Sequence, residues 1–151
     1  MRVAVGADHR GYLLRREVIG LLEELCHEVL DMGQDDDTSS DYPDAARAVC
    51  EAIRAGRADR GVLICGSGAG VSIAANKFPG IRAAMAHDYY TAHQGVEHDD
   101  VNVICMGACV VGSWLALDMV KAFLDAGFQG LERQKRRVDK IEAIEREYGA
   151  D

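Results

Sequence analysis

Apolar residues follow two alternating rhythms along the chain. Short, nearly continuous apolar runs at residues 2–6, 28–31 (centred on Val29 and Leu30), 61–65, 81–86 and 101–106 predict buried strands. Between them the spacing is helical. Leu13, Leu14, Val18, Leu21, Leu22 and Leu25 form one stripe. Ala46, Val49, Cys50 and Ile53 form a second, in a helix opened by Pro43. Further helices are predicted over 71–77, 88–95 and 114–124, the last with Leu115, Met119, Val120 and Phe123 on one face. A final helix over 133–148 carries Val138, Ile141 and Ile144 at intervals of three. The order strand–helix, five times over and then one helix more, predicts an α/β fold: a five-stranded parallel sheet with helices on both faces and an extra C-terminal helix. No repeat, low-complexity tract or linker breaks the pattern, so residues 1–151 are expected to form one domain. In such sheets ligands bind beyond the carboxyl ends of the strands. That rule points to residues 6–11 and 65–70, to His87 and Asp88, and to the turn after Met106.

Composition narrows the partners. The chain has 151 residues, 48% apolar, with 17 basic against 25 acidic side chains and a formal charge of −8. That balance speaks against duplex nucleic acid, whose binding draws on phosphate neutralisation. No apolar run approaches the ~20 residues of a membrane helix, and residues 1–6 lack the apolar core of a signal peptide. The five cysteines, Cys26, Cys50, Cys65, Cys105 and Cys109, are odd in number and contain no Cys-x-x-Cys. Reduced thiols in a cytoplasmic protein are therefore expected, with Cys26, Cys50 and Cys105 as small core residues.

Cys65-Gly66-Ser67-Gly68-Ala69-Gly70 carries the strongest local chemistry. Its glycines permit a sharp turn with exposed backbone N–H groups, and the helix behind adds partial positive charge, so the loop suits a phosphate or a developing oxyanion. Cys65 stands where negative charge on sulfur is favoured. A plain strand–helix turn with a buried Cys explains the same residues. The loop is only a partial dinucleotide fingerprint, with Val71 where its third glycine belongs, although Asp88 lies where a ribose-binding acid would stand. Gly6-Ala7-Asp8-His9-Arg10-Gly11 lacks the Lys-Ser/Thr of a P-loop. Asp8 and His9 suit hydroxyl or phosphate contacts, or else a helix cap and a solvated ring. His87, His93 and His98 sit among Asp88, Asp99 and Asp100, but their spacings of six and five match no helix face, so no metal is expected. His98, just ahead of strand five, is a candidate general acid or base. Arg133 and Arg137 share a helix face and form a phosphate clamp or a solvated surface. Tyr42, before Pro43, presents a phenol to a ligand or simply begins a helix.

Taken together, Asp8-His9-x-Gly11, Asp41-Tyr42-Pro43, Ile64-Cys65-Gly66-Ser67-Gly68-x-Gly70, Ile73-Ala74-Ala75-Asn76-Lys77, Gly80-Ile81-Arg82-Ala83-Ala84 and Arg133-x-x-x-Arg137-Val138 resemble the ribose-5-phosphate isomerase B family, which includes galactose-6-phosphate isomerase subunits. The resemblance spans nearly the whole chain. It implies a Rossmann-like three-layer sandwich that works as a homodimer or a dimer of dimers, with active sites at the subunit interface and no metal or organic cofactor. It implies aldose–ketose interconversion of a sugar phosphate through a cis-enediolate. By the same resemblance Cys65 is the base between C1 and C2, and Ser67 lies beside the reacting oxygens. The amides of Gly66, Ser67, Gly68, Ala69 and Gly70 hold the enediolate, and His98 opens the furanose ring. Asp8 meets a sugar hydroxyl, and His9, Arg133 and Arg137 meet phosphate.

The chain departs from the family pattern at three places. Asp99 follows His98 where Asn is usual, and an ionised carboxylate cannot donate to substrate as Asn does. Cys109 stands where a phosphate-contacting Arg is usual, and a thiol makes no charge-assisted bidentate bond. Leu131-Glu132-Arg133-Gln134 replaces a common Gly-Gly-Arg-His. Ribose 5-phosphate is the default substrate. The departures keep open another phosphorylated or free aldose or ketose (allose, galactose or tetrose type), a sugar-phosphate sensor without turnover, or a nucleotide-binding domain.

Overall fold

The structure, a computed structural model, describes residues 1–149. Five strands, β1 (Arg2–Ala7), β2 (Glu28–Asp31), β3 (Arg60–Cys65), β4 (Ala83–Met85) and β5 (Val103–Gly107), form one sheet in the order β2-β1-β3-β5-β4. Every pairing is parallel. The helices are α1 (Tyr12–Glu24), α2 (Tyr42–Arg54), α3 (Ala69–Ala75), α4 (Tyr89–Asp99), α5 (Ser113–Asp125) and α6 (Glu132–Tyr148). The expected Rossmann-like sandwich is what forms.

Both faces of the sheet are covered, which is why its strands read as unbroken apolar runs. Val3, Val5, Val62, Ile64, Ile104 and Met106 pack under α1, α4 and α5. The alternate residues Ala4, Leu63, Cys65, Val103 and Cys105 pack under α2 and α3. Cys65 therefore faces the α2–α3 side, while α1 leaves the neighbouring strand on the opposite side. The strand order reverses between β1 and β3, and the loops leaving these strands diverge to open a crevice.

Several elements differ from their sequence reading. Strand β4 begins two residues late, because the Arg82 N–H donates to Asn102 Oδ1 (2.8 Å) and not to a neighbouring strand. Helix α4 runs past Gly95 to Asp99. Gly95 is no terminator: a Cβ there would lie 3.3 Å from Val101 Cγ2, so its smallness lets the chain fold back closely on the helix. Leu13, Leu25 and Leu115 lie exposed on their helices, as do Ile141 and Ile144 on α6.

Cys50 and Cys105 are buried as expected, and burial pushes both thiols above their ordinary range, Cys50 to about 11. Cys26 is instead exposed. It occupies the left-handed position (φ 59°) just past α1, where its N–H donates to Glu23 O and the N–H of His27 to Leu22 O. This is the helix-stop geometry that favours glycine, and it turns the thiol outward. Cys26→Gly removes the Cβ penalty of that conformation and is expected to stabilise the fold by ~1 kcal/mol, read as a higher urea midpoint at unchanged slope.

Candidate active site

The loops leaving β1, β3 and β5 converge on one open cavity of about 430 Å³. From β1 comes Asp8, buried, whose Oδ1 accepts the N–H groups of Arg10 (2.9 Å) and Gly11 (3.2 Å). Gly11, not Asp8, is the N-cap of α1; Asp8 shapes the turn before it. Asp8 Oδ2 carries no hydrogen bond among the described residues, leaving an acceptor toward the cavity.

From β3 comes Cys65, 4% exposed, with the Gly68 N–H donating to its sulfur at 3.1 Å. The turn is made possible by two glycines from different strands. Gly68 has φ 83°, and a Cβ on it would lie 2.9 Å from Met106 C. A Cβ on Gly107 would lie 2.6 Å from Ser67 C. The two main chains thus touch, and the contact is fastened by Ala108 N–H to Cys65 O (2.8 Å) and Cys109 N–H to Gly66 O (3.0 Å). Ser67 is exposed, and its Oγ accepts the Ala69 N–H at 3.2 Å. The Gly66 and Ser67 N–H groups have no partner among the described residues. Tyr42 opens α2 and lays its ring against Gly70, where a Cβ would come within 2.8 Å of Cε2.

The structure thus gathers Asp8, Tyr42, Cys65 and the glycine loop. It also brings Arg10, Cys109 and Val110 into the cavity wall. Arg10 and Val110 escaped sequence reasoning, although Arg10 lies in the turn that the carboxyl-end rule singles out. His9 turns aside, its Nδ1 3.3 Å from the backbone N and O of Ser40. Asp88 is the N-cap of α4, accepting from the N–H and Oγ of Thr91, both at 2.7 Å; these hydrogen bonds hold its carboxyl below the usual range. That role commits its carboxyl to α4, and β5 lies between β4 and the strand that carries the glycine loop.

His98, Asp99, Arg133 and Arg137 lie elsewhere. Helix α4 runs back against the strand direction, so His98, in its last turn, sits at the amino edge of the sheet. Cys65 pairs with Gly107 and Gly61 with Val103, so these edges are about 13 Å apart along β3 alone. The segment before α6 returns to the same edge, its Gln129 N–H donating to Glu97 O. Arg133 and Arg137 are exposed in the first turns of α6 and pair with no carboxylate among the described residues. The Gln94 side-chain amide lies 2.7 Å from His98 Nδ1. That contact engages Nδ1 and leaves Nε2 without a hydrogen bond among the described residues. Asp99 borders a separate groove of about 670 Å³ with Arg82 and the exposed Ile141 and Ile144. One chain therefore carries two candidate half-sites on opposite edges of its sheet. No group of metal-ligating side chains forms among the described residues, and none of their helices is long and apolar enough to cross a membrane.

Gly107→Ala tests the main-chain contact. The new methyl meets backbone that has no flexible end to move aside, so a loss of ~1–3 kcal/mol is expected, with faster alkylation of Cys65 followed by peptide mass mapping.

Comparison with known proteins bears on what these half-sites serve. A family profile described as Ribose/Galactose Isomerase matches residues 3–141. The chain is similar to ribose-5-phosphate isomerase B of Escherichia coli, at 44% identity over 144 residues covering 95% of this chain and 96% of that one. It is 39% identical over 149 residues to D-erythrulose-4-phosphate isomerase 2 of Mycolicibacterium smegmatis, covering 96% and 97%. Among solved structures, ribose-5-phosphate isomerase B of Clostridium thermocellum superposes with a TM-score of 0.95 at 48% identity, covering 98% of this chain and 99% of that one.

Proposed function

Because the chain belongs to the ribose/galactose isomerase family and is thereby an aldose–ketose isomerase, we propose that it interconverts ribose 5-phosphate and ribulose 5-phosphate by thiol-mediated proton transfer, in sites shared between two copies of the chain. The observation that carries this reading is the sulfur of Cys65 at the cavity floor, with a backbone donor on it and unpaired amides beside it.

The steps balance without a co-reactant. The Cys65 thiolate takes the proton from C2 of the open aldose. The C–H electron pair becomes the C1–C2 double bond, and the aldehyde oxygen takes up the negative charge. In this reading the Gly66 and Ser67 amides stabilise that oxygen, and Ser67 Oγ relays the O2 proton to O1. Delivery of the sulfur's proton to C1, as O2 becomes the carbonyl, completes the ketose. Asp8 Oδ2 accepts a sugar hydroxyl and Tyr42 closes the side of the cavity.

The furanose must first open, which calls for an acid at the ring oxygen. His98 offers its Nε2, the ring held in register by Gln94, but on the far edge of its own chain. A second copy is the simplest way to bring it to Cys65, together with Arg133 and Arg137 for phosphate; His9 joins them if its ring turns from Ser40. Exposed Val110 at the lip of the cavity and Trp114 (90% exposed) give that copy an apolar surface to cover. The same arrangement is expected in a homodimer or a dimer of dimers, in the cytoplasm.

Cys65→Ala is expected to lower turnover by about 10³-fold, since the proton carrier itself is lost. The shared site is tested by mixing. Cys65→Ala and His98→Ala proteins, each inactive, are unfolded and refolded together; hybrid dimers regain one intact site each, about a quarter of wild-type activity overall. Absence of recovery would show that the two groups do not serve one interfacial site.

A second reading has a specific basis in Cys109 and in the erythrulose-phosphate relative. A tetrose 4-phosphate has its O4 esterified and cannot close a furanose ring. If such a sugar is the substrate, His98→Ala leaves its turnover within about threefold of wild type, whereas ribose 5-phosphate turnover depends on His98. Binding of sugar phosphate without turnover by the wild-type chain would instead mark a sensor.

A further inference from the structure

The cavity wall holds a cation with no assigned task. Arg10 follows Asp8 and His9 in the turn after β1, and its side chain crosses the glycine loop: a Cβ on Gly66 would lie 2.9 Å from Arg10 Cδ and 3.9 Å from both Nε and Nη1. The guanidinium thus stands one residue from Cys65, in the cavity that Cys109 also borders. The Arg10 backbone N–H is bound to Asp8 Oδ1, yet its side chain makes no hydrogen bond or ion pair among the described residues. Three other arginines are committed within the chain. Arg15 is clamped to Asp31 and Gln34 O, Arg60 to carbonyls at the end of α5, and Arg82 to Asp100. Arg10 is also the one cationic side chain among the residues lining this cavity, since His9 is turned to Ser40 and Arg133 and Arg137 are on the far edge.

An exposed guanidinium on a concave wall, beside a thiol and ion-paired with no carboxylate among the described residues, is prepared for an oxyanion from solution. Cys109 brings a sulfur where a guanidinium would make charge-assisted bonds. We propose that Arg10 is the residue with which this chain grips the phosphate of its sugar, from the same subunit that supplies Cys65, providing the positive charge that position 109 lacks. The proposal rests on the isomerase reading above. It gives that site a phosphate contact on the Cys65 side in addition to any delivered by a second copy.

The test combines steady-state kinetics with inorganic phosphate as competitor. Arg10→Ala is expected to raise KM for the sugar phosphate about 10- to 100-fold, the range of one lost charge-assisted hydrogen-bonded contact. kcat changes by less than about threefold, because the contact is made equally before and during the chemistry. The inhibition constant of inorganic phosphate rises in parallel, and Arg10→Lys loses less than Arg10→Ala. Adding Cys109→Arg to Arg10→Ala recovers most of the loss by restoring charge to the same cavity. An unchanged phosphate inhibition constant in Arg10→Ala overturns the proposal, and so does failure of both Lys and the second-site Arg to recover it. Should the wild-type chain turn over no sugar phosphate, the isomerase reading fails on its own. Phosphorus NMR titration of wild type and Arg10→Ala with inorganic phosphate then still decides for or against Arg10.

Discussion

The reactive end of this protein depends on two main chains touching. Gly68, in the loop after β3, and Gly107, at the end of β5, have no side chains because there is no room for any: a methyl on either would sit within 3 Å of the other strand's backbone. The contact fixes the turn that aims the Gly68 N–H at the Cys65 sulfur, leaves the Gly66 and Ser67 amides unpartnered among the described residues, and draws Cys109 into the wall. Parallel pairing of β3 with β5 brings the two loops to one level, and the reversal of strand order beside β3 opens the space in front of them. The sheet thus acts as a jig for a short piece of irregular backbone.

Winding of the chain also separates the remaining polar groups. Each helix returns against the strands, so whatever lies in its last turn arrives at the amino edge, away from Cys65. His98 and Asp99 are carried there by α4, and Arg133 and Arg137 by the segment that docks beside it. A site that uses both groups draws on two copies, and in a twofold dimer each copy gives its carboxyl edge to one cavity and its amino edge to the other.

Much of the fold was legible in the sequence because burial on both faces leaves an unambiguous apolar signature. Strands β1, β3 and β5 were found by it, and β2 matched residue for residue. Errors arose where one residue type serves different purposes. Gly95 signals a helix end in sequence but is there to let Val101 approach. Arg82 looked like strand and is held by a side chain of the β5 approach. Cys26 counted as a core residue by type, yet sits where a helix stop turns it outward. At the site, Cys65, Ser67, Asp8 and Tyr42 were visible as chemistry next to strand ends. Arg10 was passed over as the spacer between Asp8, His9 and Gly11, because sequence spacing does not tell where a long side chain lies. The separation of His98 from Cys65 follows from helix direction alone.

The contact between Gly68 and Gly107 has a consequence for how the protein can change. The sulfur is positioned by peptide groups, and peptide groups are the part of a protein that substitution leaves alone. Residues around the rim, such as Arg10 and Cys109, bear on the position of that sulfur only weakly. Selectivity for the distal portion of a substrate can therefore drift, one rim position at a time, while the sulfur stays in place.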